Sequence, residues 1–198
     1  MEIRLIRHGK TESNLLHRYL GRTDEPLCPE GIREARALGS FPEVREVITS
    51  PLLRTGETAR ILFPAARLRP IAAFSEMDFG DFEGKTAGEL SHDPAYRDWI
   101  MGNCLGPCPR GESADALAAR CIPAFLELVS DALKAGKTHL VFVLHGGVIM
   151  ALMERFARPK EELFFYHVKN LSGFVCTVEP ALWETEQVFA HWERLNLR

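Results

Sequence analysis

Three times along this chain a short run of aliphatic residues stops at a polar turn and gives way to helix-forming sequence. Ile3, Leu5 and Ile6 end at Arg7-His8-Gly9, residues 44–49 end at Ser50-Pro51, and residues 140–144 end at His145-Gly146-Gly147. Strands separated by helices pair through crossovers rather than tight hairpins, which lays them parallel and covers both faces of the sheet. An α/β chain with one doubly wound, mostly parallel sheet is therefore expected. Such sheets collect their functional groups at the carboxyl ends of the strands.

Between these units the pattern is less even. A helix from Glu30 should bury Ile32, Ala35 and Leu38 and stop at Gly39. Cys28 stands where an oxygen-bearing cap is usual, and a missing cap oxygen costs about 1 kcal/mol. Ser50 reads as an N-cap and Pro51 as the first residue of a helix through Ala59, Ile61 and Leu62 that Pro64 ends. Leu68 and Ile71 suggest a strand. Residues 74–90, with Gly80, Gly84 and Gly88, read mainly as loop with a short helix near the end. Residues 95–110 suggest a short helix and then irregular chain that could cover a pocket. Residues 113–134 form the longest periodic helix, with Leu117, Cys121, Phe125, Leu128 and Val129 on one face and a kink expected at Pro123. Residues 171–178 give a last strand candidate, and residues 183–192 fit strand or helix equally. No repeat or linker divides the chain, so residues 1–198 are expected to form a single domain.

With 198 residues, 46% of them hydrophobic and 26% charged, disorder and a disulfide-stapled miniprotein are poor explanations. Lys and Arg total 24 against 27 acidic residues, a net charge of -3 that offers no long-range attraction to nucleic acid or an anionic membrane. The expected partner is a small molecule, its anionic group held locally. Five cysteines, an odd number, point to a reducing compartment. Residues 1–6 do not read as an export signal, and His145-Gly146-Gly147 breaks the richest apolar stretch well short of membrane thickness. A cytoplasmic location is expected. No compact Cys/His set completes a site around Cys104 and Cys108, so neither a metal nor another cofactor is expected.

Arg7-His8-Gly9 puts a nucleophilic imidazole beside a guanidinium at a strand end, a pairing suited to phosphate chemistry. Alone, it could equally be a solvated strand end. Ser50 to Arg54 adds a second guanidinium near a helix start, where backbone donors also favour anions. His145 adds another imidazole at a strand end, although a glycine turn with a satisfied histidine would look the same. Glu76 alone reads as an ordinary loop carboxylate.

The motifs and their order are more diagnostic than any one of them. Arg7-His8-Gly9-Lys10-Thr11, Asn14, Ser50-Pro51-Leu52-Leu53-Arg54, Glu76-Met77-Asp78-Phe79-Gly80, Gly111-Glu112-Ser113 and His145-Gly146-Gly147 together resemble the histidine phosphatase, or phosphoglycerate mutase-like, superfamily, in its short phosphatase branch. The resemblance covers most of the chain and implies a three-layer α/β/α sandwich. It makes His8 the covalent nucleophile and Glu76 the acid/base. Arg7, Arg54 and His145 become phosphate ligands, His145 also catalytic, with Asn14 a further phosphate ligand. Lys10, Phe79, Glu112 and Ser113 are weaker candidates for substrate contact, and Ser113 fits the N-cap of the following helix better. Lys10 departs from the acidic or glutamine-like residue frequent at its position, and Cys28 from a threonine-like cap.

Residues 79–84 and 96–99 further resemble alpha-ribazole phosphatases of cobalamin assembly, and the compact middle region is unlike the longer insertion of phosphoglycerate mutases. The resemblance thus implies hydrolysis of a small phosphomonoester through phosphohistidine, with Arg7, Arg54 and a protonated His145 supplying positive charge. Two alternatives stay open: a cofactor-dependent phosphoglycerate mutase, which returns the phosphoryl group to a bound acid, and an inactive phosphate-binding interaction module. Monomer and homodimer are equally compatible with the sequence.

Overall fold

In the computed structural model, which describes residues 1–196, each strand sends alternate side chains to opposite faces of one sheet, as period-2 geometry requires. Leu197 and Arg198, the end of the expected 1–198 domain, lie outside the described residues. In chain order the elements are β1 (Glu2–Arg7), α1 (Glu12–Leu15), α2 (Pro29–Ala37), β2 (Glu46–Thr49), α3 (Leu53–Leu62), β3 (Arg67–Pro70), α4 (Ala87–Leu90), α5 (Pro94–Met101), α6 (Ala114–Lys134), β4 (His139–Leu144), α7 (Gly146–Phe156), β5 (Ser172–Thr177), α8 (Pro180–Thr185) and β6 (His191–Asn196). The six strands lie in the order β3-β2-β4-β1-β5-β6. β1 to β4 are mutually parallel, whereas β5 runs antiparallel to β1, and β6 antiparallel to β5.

β4 is the spine of both cores. Val141 and Val143 pack with Ala35 of α2 and Ala59 and Leu62 of α3 on one face. Leu140, Phe142 and Leu144 pack with Phe125 of α6 and Val148, Ile149 and Leu152 of α7 on the other. This is a three-layer α/β/α sandwich. Fully burying an aromatic such as Phe142 stabilises by about 1.5–3 kcal/mol.

The local differences from sequence expectation have identifiable causes. Cys28 does cap α2, because its Sγ accepts from the Gly31 N–H at 3.3 Å. α3 begins at Leu53 rather than Pro51, its cap residue Leu52 offers no side-chain bond, and Ser50, two residues before that cap, accepts from Leu52 N at 3.2 Å and bonds His145 through the same hydroxyl. Residues 183–192 are both of the forms left open, since α8 continues to Thr185 and β6 starts at His191. α6 holds Pro123 within its span, so the proline does not end the helix.

Strand register then assembles a site. Arg7 lies beside Leu144, and Thr49 beside Val143, so His8, Ser50 and His145 leave the sheet along one edge. After β1 the chain passes to helices on one face, and after β4 to α7 on the other. The crevice between those two strands is the topological switch point, where open α/β sheets bind ligands.

Candidate active site

The His8 N–H donates to Leu144 O at 3.0 Å, which seats the first imidazole next to the start of the second strand-end turn. Its Nδ1 lies 2.7 Å from Gly9 O. A carbonyl only accepts, so Nδ1 carries the proton and Nε2 keeps its lone pair. Burial, with the charges of Arg54 and Arg7 beside it, holds the His8 pKa well below its usual 6.5. The imidazole is therefore neutral and nucleophilic at physiological pH. Gly9 N–H is tied to Thr58 Oγ1 at 2.9 Å, so α3 braces the turn that carries His8.

His145 is fully buried, its ring centroid 5.2 Å from that of His8. Arg54 Nε donates to its Nδ1 at 3.3 Å, and a guanidinium cannot accept. Nε2–H of His145 therefore donates to Ser50 Oγ at 2.7 Å. With both nitrogens engaged, and with burial and Arg54 pressing its pKa well below 6.5, His145 is neutral. The protonated His145 expected from sequence is thus not the form this hydrogen bonding holds; the positive charge of the site comes from the guanidiniums.

Arg54 has no exposed surface. Its Nη1 donates to Thr23 O at 2.9 Å and its Nη2 to Gly21 O at 2.8 Å, leaving one further N–H on each terminal nitrogen. Arg7 is anchored through Nη1 to Val168 O at 2.7 Å, and its buried Nε has no hydrogen-bond partner among the described residues. An unsatisfied buried donor of this kind is costly unless a ligand receives it. Burial lowers the pKa of both guanidiniums, and the carboxylate of Glu76 opposes that shift.

Glu76 is buried, with Oε1 accepting from Met77 N and Oε2 from Gly147 N, each at 2.9 Å. The second bond places the carboxylate at the amino terminus of α7, where a helix favours negative charge. Gly147 is required there: a Cβ would stand 2.4 Å from Glu76 Oε1. Asn14 uses Oδ1 twice, accepting from Thr11 N and from Asn170 Nδ2, each at 3.2 Å, which leaves its amide donors for other partners.

Four weaker sequence candidates are bonded elsewhere. Lys10 Nζ is held by Glu30 Oε1 at 2.6 Å and Glu34 Oε1 at 2.8 Å on α2. Phe79 packs against Tyr19 and Trp99, with ring centroids 5.2 and 6.4 Å apart. Glu112 makes a forked ion pair with Arg120 at 2.8 and 2.9 Å. Ser113 Oγ accepts from Ala116 N at 3.1 Å, as the N-cap of α6.

The sequence profile of the histidine phosphatase superfamily (branch 1) matches residues 3–190. The chain belongs to that superfamily. Among proteins similar to this histidine phosphatase, a 2,3-bisphosphoglycerate-dependent phosphoglycerate mutase 2 of Gloeobacter violaceus is 32% identical over 160 residues, 75% of this chain and 72% of the relative. An uncharacterized phosphatase, PhoE, of Bacillus subtilis is 33% identical over 165 residues, 80% of this chain and 79% of the relative. The crystal structure of the alpha-ribazole phosphatase from Shigella flexneri superposes with a TM-score of 0.76 at 25% identity, covering 91% of this chain and 92% of that one. This histidine phosphatase is an enzyme acting on a small phosphate ester. Among the described residues no helix is long and apolar enough to cross a membrane.

Residues that sequence reasoning passed over complete the setting. Asn170 Nδ2 donates to His8 O at 2.9 Å and to Asn14, linking the strand-end turn to the loop before β5. Ser50 Oγ accepts the Nε2 proton that Arg54 imposes on His145, and Thr58 holds Gly9. Ser50 had a signal that was read as a helix cap; Asn170 and Thr58 had none, because each depends on a contact across more than forty residues of chain.

Proposed function

We propose that this enzyme hydrolyses a small organic phosphomonoester in two steps through a phosphohistidine on His8. The observation that carries this reading is the neutral His8 ring, its Nδ1 tied to Gly9 O and its Nε2 left unshared, buried under the influence of two guanidiniums. In the first step Nε2 attacks phosphorus, the P–O ester bond breaks, and Glu76, whose acid form is favoured once the anionic substrate is bound near it, gives its proton to the leaving alkoxide. In the second, Glu76 takes a proton from water as its oxygen attacks phosphorus, breaking the P–N bond and releasing phosphate. Arg7 and Arg54, with Asn14, hold the nonbridging oxygens; Arg7 Nε and the spare Nη protons of Arg54 are suited to that task. His145 acts as a neutral neighbour that fixes Arg54. Positioning and preorganised charge supply most of the rate enhancement in phosphoryl transfer.

The likeness to an alpha-ribazole phosphatase, together with the compact segment between Glu76 and Ser113, supports alpha-ribazole 5'-phosphate as substrate and water as acceptor. The identity shared with a phosphoglycerate mutase supports a second reading, in which the phosphoryl group returns to a bound acid. A panel of alpha-ribazole 5'-phosphate, phosphoglycerates and sugar phosphates, assayed for free phosphate and for rearranged product, separates them. Hydrolysis of alpha-ribazole 5'-phosphate without isomerisation is expected. Efficient interconversion of phosphoglycerates would replace this reading with the mutase.

A further inference from the structure

The carboxylate assigned to proton transfer sits on a segment with little regular structure, and something must hold it still. Glu76 follows a single 3-10 turn (Ala72–Phe74), and the next regular element is another short turn (Gly80–Phe82). Arg120, on the first half of α6, directs all five of its N–H groups at this region. Its Nη1 donates to Ala73 O and Ser75 O, each at 2.7 Å, and its Nη2 to Glu76 O at 2.9 Å. The remaining donors make the forked pair with Glu112, Nε to Oε1 at 2.8 Å and Nη2 to Oε2 at 2.9 Å.

Glu112 continues the grip on the far side of Glu76. Its Oε2 accepts from Asp78 N at 3.0 Å, and its own N–H donates to Asp78 O at 2.8 Å. The ion pair is only about one-fifth exposed, with side chains 21% and 18% accessible. Burial is the largest single influence and opposes the charge on Glu112, but the Arg120 bond, the Asp78 N–H and the charges of Arg120 and Arg22 together outweigh it and keep the carboxyl below its usual pKa. Residues 73–78 are therefore fastened to α6 through carbonyls and an amide on both sides of Glu76. The Glu76 side chain, in turn, reaches across to Gly147 N on α7. A planar fork with five donors suits this task, whereas an ammonium can satisfy at most three acceptors and in a different geometry.

We infer that Arg120 and Glu112 form a positioning clamp that sets the Glu76 carboxyl for proton transfer, so that Glu112 of the Gly111-Glu112-Ser113 motif serves the acid/base rather than the substrate. This rests on the reading of Glu76 as the acid/base. Misplacing a catalytic group by about 1 Å can cost on the order of a hundredfold in rate, and here the cost falls on one proton. A substrate whose leaving group needs no protonation escapes it.

The test is single-turnover formation of phosphohistidine at His8 from two substrates, p-nitrophenyl phosphate and a simple alkyl phosphate. It compares the wild-type protein with Arg120→Lys, Glu112→Gln and Glu76→Gln, each checked for its thermal midpoint. In both clamp variants the alkyl phosphate step is expected to slow by roughly 10- to 100-fold, while the p-nitrophenyl phosphate step changes less than about threefold, the selectivity that Glu76→Gln shows more strongly. Glu112→Gln keeps the helix and the Arg120 side chain, so it reports even if Arg120→Lys folds poorly. If Glu76→Gln shows the selectivity and neither clamp variant does, or the folded clamp variants slow both substrates alike, the clamp is overturned and the reading of Glu76 stands. If wild type forms no phosphohistidine, or Glu76→Gln slows both substrates equally, that underlying reading fails and the clamp fails with it.

Discussion

The division of labour between the two imidazoles follows from which atoms can donate. Gly9 O forces the proton of His8 onto Nδ1 and frees Nε2, whereas Arg54 forces the proton of His145 onto Nε2 and Ser50 absorbs it. One ring is left reactive and the other saturated. His8→Ala is accordingly expected to abolish turnover in a steady-state phosphatase assay. Arg54→Lys removes a fork with three protein partners and two spare donors, and should lower kcat/KM by about a hundredfold, equivalent to roughly 3 kcal/mol. Lys10→Ala, by contrast, breaks only half-exposed pairs with Glu30 and Glu34 and should leave kcat/KM within about threefold. Gly147→Ala drives a Cβ into the Glu76 carboxylate and should depress kcat more than it raises KM. His8 and Arg54 stand out in the sequence as candidates because their residue types, at a strand end and a helix start, carry chemistry in themselves, and Glu76 stands out only through the order of the motifs around it. Arg120 does not: a single arginine on an amphipathic helix has no signature until the chain folds its five donors onto the loop of residues 73–78 and onto Glu112.

At the scale of elements, sequence signals were right about type and weaker about use. Ser50-Pro51 has the composition of a helix start, yet α3 begins at Leu53: the Ser50 hydroxyl accepts from Leu52 N in the turn ahead of the helix and also bonds His145 and Thr55. Ser113 is the reverse case. It sits in a motif that invited a substrate role, and it caps the longest helix of the chain. Ser113→Ala is expected to destabilise the protein by about 1 kcal/mol in urea unfolding while leaving KM unchanged; a rise in KM without loss of stability would restore the substrate role. The 183–192 segment was ambiguous because a six-residue helix and a six-residue strand fall on either side of one turn, and no window long enough to show a period fits either.

For the whole molecule, the alternation of strands and helices was enough to expect a doubly wound sheet, since parallel strands need covered faces. The antiparallel edge was not visible, because pairing of β5 with β1 joins residues about 170 positions apart and no local pattern encodes it. The same burial that builds the site has a thermodynamic consequence. His8 and His145 both have folded pKa values well below 6.5, so below that pH the unfolded chain binds protons that the folded chain refuses. Stability should be intact above about pH 6.5 and fall by up to roughly 1.4 kcal/mol per pH unit for each histidine as the medium is acidified. Glu30, Glu46, Glu89 and Glu112, whose pKa values are lowered from 4.5, contribute in a separate and more acidic window. Denaturant titrations between pH 7 and 5 should show this slope, and His8→Asn should reduce it.

The most direct measurement is to mix the protein briefly with a labelled phosphomonoester, quench, and map the label by mass spectrometry under conditions that preserve phosphoramidates. One acid-labile, base-stable phosphate on Nε2 of His8, absent from His8→Ala, is the predicted result. Turnover that proceeds with no label on His8, or with the label on another residue, would contradict the account.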